Sequence, residues 1–384
     1  RPTMNLSVDR ILTTHVGSMP RSQPVVDMLF AEDRGEAVDR AAYDATMAEA
    51  VSSTVAQQRN AGVDIPSDGE MTKISYATYI RHRFTGFAIG EAPRATPQDL
   101  DDFPDYKRRL AQSGTSPRYQ RPICRGPIAI QDMTPLHKEI AHLQRAMQVH
   151  GVEEAFLNAA SPGVIAVFQP NEYYNTNEAY LQALAEVMKV EYEAIVNAGL
   201  LLQVDCPDLA MGRHIRFRAV DDAEFLRHAE LQVEALNYAL SAIPSDRVRM
   251  HLCWGNYDGP HTRDIALDKI IHLVLKAKPQ AILFEAANPR HAHEWKVWTT
   301  VAIPEDKVLI PGVIESTNNF IEHPELVAQR IEQFAAIVGR ERVLAGSDCG
   351  FGTFAGYGAV DPQITFGKLA ALAEGAQIAS ARLW

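Results

Sequence analysis

Only four cysteines occur in the 384 residues. That is too few for a disulfide framework, so each thiol is a question about metal binding or chemistry instead. Long apolar runs are missing too: no stretch approaches the roughly 18 uninterrupted apolar residues of a membrane-spanning helix. The first ten residues lack the apolar centre of a signal peptide. Positive charge is in deficit, with 37 lysines and arginines against 48 acids and a net charge of −11. With no basic block, nucleic acid and anionic membrane surfaces are excluded as main partners. Low-complexity tracts and Gly/Ser linkers are also absent, so nothing marks a second domain. The chain reads as soluble and cytoplasmic, with 46% hydrophobic residues available for a large core. Arg1-Pro2-Thr3 precede Met4 and are set aside as an added leader.

From residue 160 onward, short runs rich in β-branched residues alternate with longer amphipathic stretches, the pattern of parallel strands joined by helices. The predicted strands are 164–168, 201–205, 248–252, 281–285, 308–314 and 343–347, with helices over 178–198, 220–241, 263–277 and 324–338. Upstream, 11–16 and 63–65 supply two more strands around a helix at 40–60. Asn60-Ala61-Gly62 and Asn197-Ala198-Gly199 each place a glycine where a helix needs a left-handed C-terminal residue, and each leads into a strand ending in an acid. Eight such units predict an α/β fold, a (β/α)8 TIM barrel in one domain, with an open doubly wound sheet as the alternative. Residues 88–160, rich in charge and proline, break the alternation and are expected to be an insertion between strands 2 and 3 that caps the barrel mouth.

Chemistry in such barrels collects at the carboxyl ends of strands. There the sequence places His15, Asp68, Glu70, Asp205, His251, Cys253, Glu285, Glu315, Asp348 and Cys349. His251 and Cys253 alternate, so both side chains leave one face of a strand with Cα atoms about 7 Å apart, within reach of one ion. His-x-Cys alone is more often a packed pair, but Glu285 and Cys349 at later strand ends favour a zinc site. Cys206 points to the other face and reads as a buried thiol, and Cys124 has no partners. His291 and His293 read as supporting or surface residues.

The runs THVGSMPR, DGEMTKISYATYIRHRFTGF, VDCPD, HLCWGNY, ILFEAAN and SDCGFGT, in this order, resemble the catalytic half of cobalamin-independent methionine synthase. The likeness extends from about residue 11 to 375 and is greatest for the short, single-barrel members. It implies a zinc-dependent methyl or alkyl transfer to homocysteine or a related thiol, with His251, Cys253, Glu285 and Cys349 as the zinc ligands. It also implies that Glu70 and Asp205 hold the amino group of homocysteine and that Ser18 holds its carboxylate. His15 is either a pocket residue or a packed histidine.

Three departures qualify the likeness. The chain is expected to hold one barrel where full-length enzymes have two. Thr317 stands where the family has a histidine that protonates the folate leaving group, and a threonine hydroxyl is a poor acid at neutral pH. The family's Asp-Glu-Pro is Asp205-Cys206-Pro207. The donor is thereby left open among methyltetrahydrofolate, methylcobalamin or a corrinoid protein, and an epoxide opened by a coenzyme M-type thiol. Arg81, His82 and Arg83 could hold a sulfonate or carboxylate, or could be a solvated helix end. A metal-free decarboxylase-like barrel, a non-catalytic zinc or thiol carrier, and a homo-oligomer also remain open.

Overall fold

The structure, a computed structural model, describes residues 3–91, 94–113 and 117–384. Arg1 and Pro2 lie outside the described residues, as do 92–93 and 114–116 of the inserted segment. Eight strands are assigned: β1 (Phe87–Gly90), β2 (Arg121–Cys124), β3 (Phe156–Ala160), β4 (Leu201–Asp205), β5 (Val248–Leu252), β6 (Ala281–Phe284), β7 (Val308–Ile314) and β8 (Gly346–Ser347). Among them run α1 (Gln23–Asp33), α2 (Arg40–Asn60), α3 (Pro104–Gln112), α4 (Thr134–His150), α5 (Pro162–Phe168) and α6 (Asn177–Asn197). The remaining helices are α7 (Asp222–Ala239), α8 (Leu267–Lys276), α9 (Trp295–Thr300), α10 (Pro324–Val338) and α11 (Pro362–Leu383).

Strands β3 to β8 form one parallel sheet in chain order, while β1 and β2 pair antiparallel apart from it. The predicted eight-stranded sheet is therefore a six-stranded one. Segments 11–16 and 63–65 are not ladder strands; they join the sheet through isolated backbone bridges. Thr13 bridges Ala345 in parallel, the amides of Asp64 and Ile65 donate to the Thr13 carbonyl, and Ser67 bridges Phe156.

The predicted strand 164–168 is wrong. Ser161 caps a helix there, its hydroxyl accepting from the Val164 amide at 3.1 Å, and Pro162 occupies the first helical turn. A cap followed by proline overrides the strand preference of a Val/Ile run. The third strand lies earlier, at Phe156–Ala160, inside the segment read as inserted. Elsewhere the helix starts follow their caps. Asp39 accepts from the amides of Ala41 and Ala42 to open α2, and Thr176 accepts from Ala179 to open α6. Gly62 and Gly199, at φ of 100° and 88°, turn the chain from α2 and α6 toward the sheet, a conformation costly for any residue with a Cβ.

Two cores flank the sheet. Leu202 and Val204 of β4 point outward into the main helix-facing core, whereas Leu201 points inward with Val16, Ile65, Phe156, Leu283, Ile310 and Leu344. Arg249 is also inward and fully buried, donating to Gln203 Oε1 (3.0 Å), Thr14 Oγ1 (2.9 Å) and the His15 carbonyl (2.8 Å). Its guanidinium lies 3.9 Å from the Phe156 ring centroid. This side chain ties the N-terminal segment to the sheet. Among the described residues no helix is long and apolar enough to cross a membrane.

Candidate metal centre

His251 is the penultimate residue of β5, Cys253 follows the strand directly, and Cys349 follows β8. Alternation along β5 turns Arg249, His251 and Cys253 to one side. In a flat sheet β5 and β8 would lie about 14 Å apart, three strand spacings. Instead Cys253 Sγ and Cys349 Sγ are 3.0 Å apart, so the sheet is strongly curled. The ligand atoms of His251, Cys253 and Cys349 all fall within 4.8 Å of one another, and all three residues are buried. An imidazole and two thiols suit a borderline-soft divalent ion.

Local bonds hold each member. The His251 Nε2 lies 3.1 Å from the Asp348 carbonyl, and its Nδ1 is 3.9 Å from Asp205 Oδ1. Burial lowers the His251 pKa to about 4, so the ring is neutral and can donate a lone pair. Cys253 Sγ accepts from the Gly255 amide at 3.2 Å. Contact with Cys349 favours the Cys253 thiolate, but burial and Glu285 push that thiol up overall. Burial and Cys253 push Cys349 well up. A cation among the sulfurs would reverse both shifts.

Glu285, predicted as the fourth ligand, is not part of this compact trio. Its Oε2 accepts from the Trp254 amide at 2.9 Å and its Oε1 from Asn288 Nδ2 at 3.2 Å. The carboxylate thus stands beside Cys253 through the adjoining backbone, and burial raises its pKa to about 7.

The trio opens into a cavity of about 320 Å³ also lined by Glu70, Asp205, Ser18 and Asn158. Glu70 has left-handed backbone (φ 55°), uncommon for a residue with a Cβ, and its Oε1 is buried with no hydrogen-bond partner. Burial raises Glu70 to about 7 and Asp205 well above its usual range; the Glu70 charge raises Asp205 further, and the nearby Lys73 ammonium opposes both shifts. Ser18 Oγ accepts from the Gly352 amide at 3.2 Å, and a Cβ on Gly350 would fall 2.0 Å from that oxygen, so glycine there is required. Asn158, missed at the sequence level because it sat in the segment read as inserted, donates to the Val16 carbonyl (2.9 Å) and toward Asp205 Oδ1 (3.4 Å).

Other candidates sit elsewhere. His15 is fully buried, with Nε2 2.5 Å from Gln58 Oε1 and Nδ1 accepting from the Gly17 amide, and it does not line the cavity. It is a packed histidine. Thr317 does not line the cavity either. Cys206 and Cys124 are buried and free, away from the trio. His291 stacks on Trp254 at 4.0 Å; burial opposes its charge, but bonds to Asp264 and Glu294 lift it to about 10. His293 is exposed. Arg81 pairs with Asp33, and Arg83 with Glu139 and Glu191, so both arginines hold the fold together rather than a ligand.

No family model matches the chain. Curated relatives do. A methionine synthase of Sulfolobus acidocaldarius is 24% identical over 341 residues, covering 88% of this chain and 85% of its own. One from Saccharolobus islandicus is 24% identical over 371 residues, covering 95% and 94%. The chain is a homologue of the methionine synthases. The fold agrees with a solved B12-independent methionine synthase from Shewanella sp. W3-18-1, in complex with selenomethionine. The TM-score is 0.75 at 18% identity, over 97% of this chain and 99% of that one.

Proposed function

We propose that the chain transfers a methyl or other alkyl group to the sulfur of homocysteine or a related thiol, with zinc held by His251, Cys253, Cys349 and Glu285. The observation that carries this reading is a single cavity joining the thiol–imidazole trio to two buried carboxylates, Glu70 and Asp205. The homology to proteins named methionine synthase over nearly the full length supports it.

A bound zinc ion would supply a positive charge that lowers the pKa of an acceptor thiol. Glu70 and Asp205 receive the ammonium group of the amino acid; Glu70 Oε1, buried without a partner, is the acceptor that this group satisfies. Ser18 and the adjoining turn at Gly350–Gly352 receive the carboxylate. The apolar remainder of the cavity keeps water from the reacting sulfur. That sulfur attacks the donor's alkyl carbon, the S–C bond forms, and the leaving group departs with the electron pair of the broken bond.

An amine leaving group also needs a proton. Among the described residues, His251 is the one imidazole lining the cavity, and Thr317 is outside it. This supports a pre-activated donor, such as a methylated corrinoid, over methyltetrahydrofolate. The same proposal includes closure of the sheet by the Thr13 and Ser67 bridges into a single eight-segment barrel, with the segment from residue 88 to β3 as its cap. Residues 94–97, 100, 110, 117, 119 and 121 contribute cavity lining, which supports that cap.

The test is a turnover screen of zinc-loaded protein, crossing homocysteine and coenzyme M with methylcobalamin, methyltetrahydrofolate and a short epoxide. Methionine formed from methylcobalamin is the expected product. A metal-loaded protein that binds no small thiol overturns the function, and rapid turnover with the folate overturns the argument from Thr317.

A further inference from the structure

We propose that Asn256 is a positioning residue of the metal centre: its side-chain amide ties the loop that carries Cys253 to the loop that carries Cys349, and so sets the gap between the two sulfurs. That it acts on a zinc ion rests on the function proposed above; that it holds the sulfur pair does not.

The need for such a tie comes from the topology. β5 pairs with β4 and β6, and β8 pairs with β7, so no ladder bond joins the two strands that lead into the cysteines. Side chains must join their loops instead. Asn256, three residues after Cys253, donates from Nδ2 to the Gly350 carbonyl at 2.9 Å and to Thr353 Oγ1 at 2.7 Å. Its backbone carbonyl accepts from the Tyr357 hydroxyl at 3.0 Å, and its Oδ1 accepts from Ser316 Oγ at 2.9 Å. One residue thereby gathers the loops after β5, β7 and β8, and Gly350 directly follows Cys349. A carbonyl only accepts, so the amide nitrogen must face Gly350, and both of its N–H groups are used.

The turn before Asn256 is shaped for this reach. Gly255 has a φ of 107°, and a Cβ there would lie 2.8 Å from the Tyr257 ring, so only glycine lets the chain turn at this point. The amide of the same glycine donates to Cys253 Sγ at 3.2 Å. One short turn therefore fixes a ligand sulfur at its start and the bridging amide at its end. A second link between the loops, from His251 Nε2 to the Asp348 carbonyl at 3.1 Å, uses a nitrogen for which a metal competes. The Asn256 bonds use no ligand atom, so they persist whether or not the centre is filled. Asn256, Gly350 and Thr353 also line the cavity beside the trio, which places the tie at the wall of the site.

The experiment compares the parent full-length chain with Asn256→Leu, which keeps the volume and loses every side-chain bond, and with Thr353→Val, which removes one acceptor and leaves Asn256 in place. The first readout needs no metal. Diamide oxidises the two thiols of the chelator-stripped protein to one S–S bond, and its N=N bond takes up the two electrons and two protons that they release. The rate, with the product located by peptide mass mapping, follows how often the sulfurs meet. The Cys253–Cys349 bond should form at least about tenfold more slowly in Asn256→Leu, with a smaller slowing in Thr353→Val. The second readout is cobalt(II) binding under chelator competition, where Asn256→Leu should lose about 10–100-fold in affinity and change the sulfur-to-cobalt charge-transfer band.

A parent that forms no such bond, or equal rates in parent and Asn256→Leu, overturns the proposal. Denaturant unfolding run beside these assays separates positioning from plain stability: a less stable Asn256→Leu with the parent's thiol rate and cobalt spectrum makes the residue structural only, and also overturns it. If Asn256→Leu does not fold, Thr353→Val decides, and parental values in both readouts count against the proposal. A parent that takes up neither zinc nor cobalt defeats the function proposed above, while the diamide rates still decide whether Asn256 holds the sulfur pair.

Discussion

Asn288 donates both its backbone amide and its side-chain amide to the Asp348 carboxylate, each at 3.0 Å. The amides of Ala286 and Ala287 add two more bonds at 2.9 Å, so one carboxylate gathers the loop after β6 onto the end of β8. The same Asn288 side chain reaches Glu285 Oε1. Asp348 thus positions Glu285 and adjoins Cys349. Asp348→Asn replaces an acceptor oxygen with a donor facing amides. We expect metal affinity to fall about 10–100-fold, measured by chelator competition, and stability to fall by about 1–3 kcal/mol, measured by denaturant unfolding. Unchanged metal affinity would show that the loop holds its position without this carboxylate.

Removing a ligand should cost more than removing its support. As prepared, the protein is expected to carry about one zinc per chain. Cys349→Ser should lose that metal on dialysis and with it thiol-dependent turnover, as read by elemental analysis beside an activity assay. Retention of a full equivalent of zinc in this variant would place the metal somewhere else.

The pH dependence follows from Glu70. Burial holds its carboxyl at about 7, above the usual 4.5. A carboxyl raised by folding favours the protonated form, so its stabilising contribution is complete below about pH 4.5 and disappears as pH climbs through about 7. An ammonium ligand needs the ionised form. Homocysteine binding should therefore release a proton near pH 6 and weaken as pH falls below 7, up to about tenfold per unit. Calorimetry in two buffers of different ionisation enthalpy measures the proton. Glu70→Gln should bind more weakly and release about one proton fewer than the parent, and equal proton release by the variant would sink the assignment.

Arg249 is a structural counterpart to these site residues. Its three bonds to Gln203, Thr14 and the His15 carbonyl are fully buried. Arg249→Ala removes a large side chain and strands three acceptors, so a loss of about 3–5 kcal/mol is expected in chemical denaturation. A loss below about 1 kcal/mol would mean that the N-terminal segment is anchored by its backbone bridges alone.

What could be read from the sequence was set by how local each signal was. Strands 201–205, 248–252 and 308–314 and helices 40–60 and 324–338 emerge at their predicted bounds, because apolar runs there are flanked by caps and turn residues. β3 was hidden because FLNAA has no β-branched residue and turns polar Asn158 inward, while the neighbouring VIAVF run imitated a strand behind a Ser-Pro helix start. His251 and Cys253 shared a face by alternation alone. That Cys349 meets them depends on sheet curvature, and that Glu285 turns to the Trp254 amide depends on a loop held by Asp348; neither is written in a short window of sequence.

The two sulfurs are 96 residues apart in the chain and meet only because the sheet bends. A nascent chain still missing its last strand does not yet own this pair. An ion held by both sulfurs would therefore bind only once the fold is nearly finished.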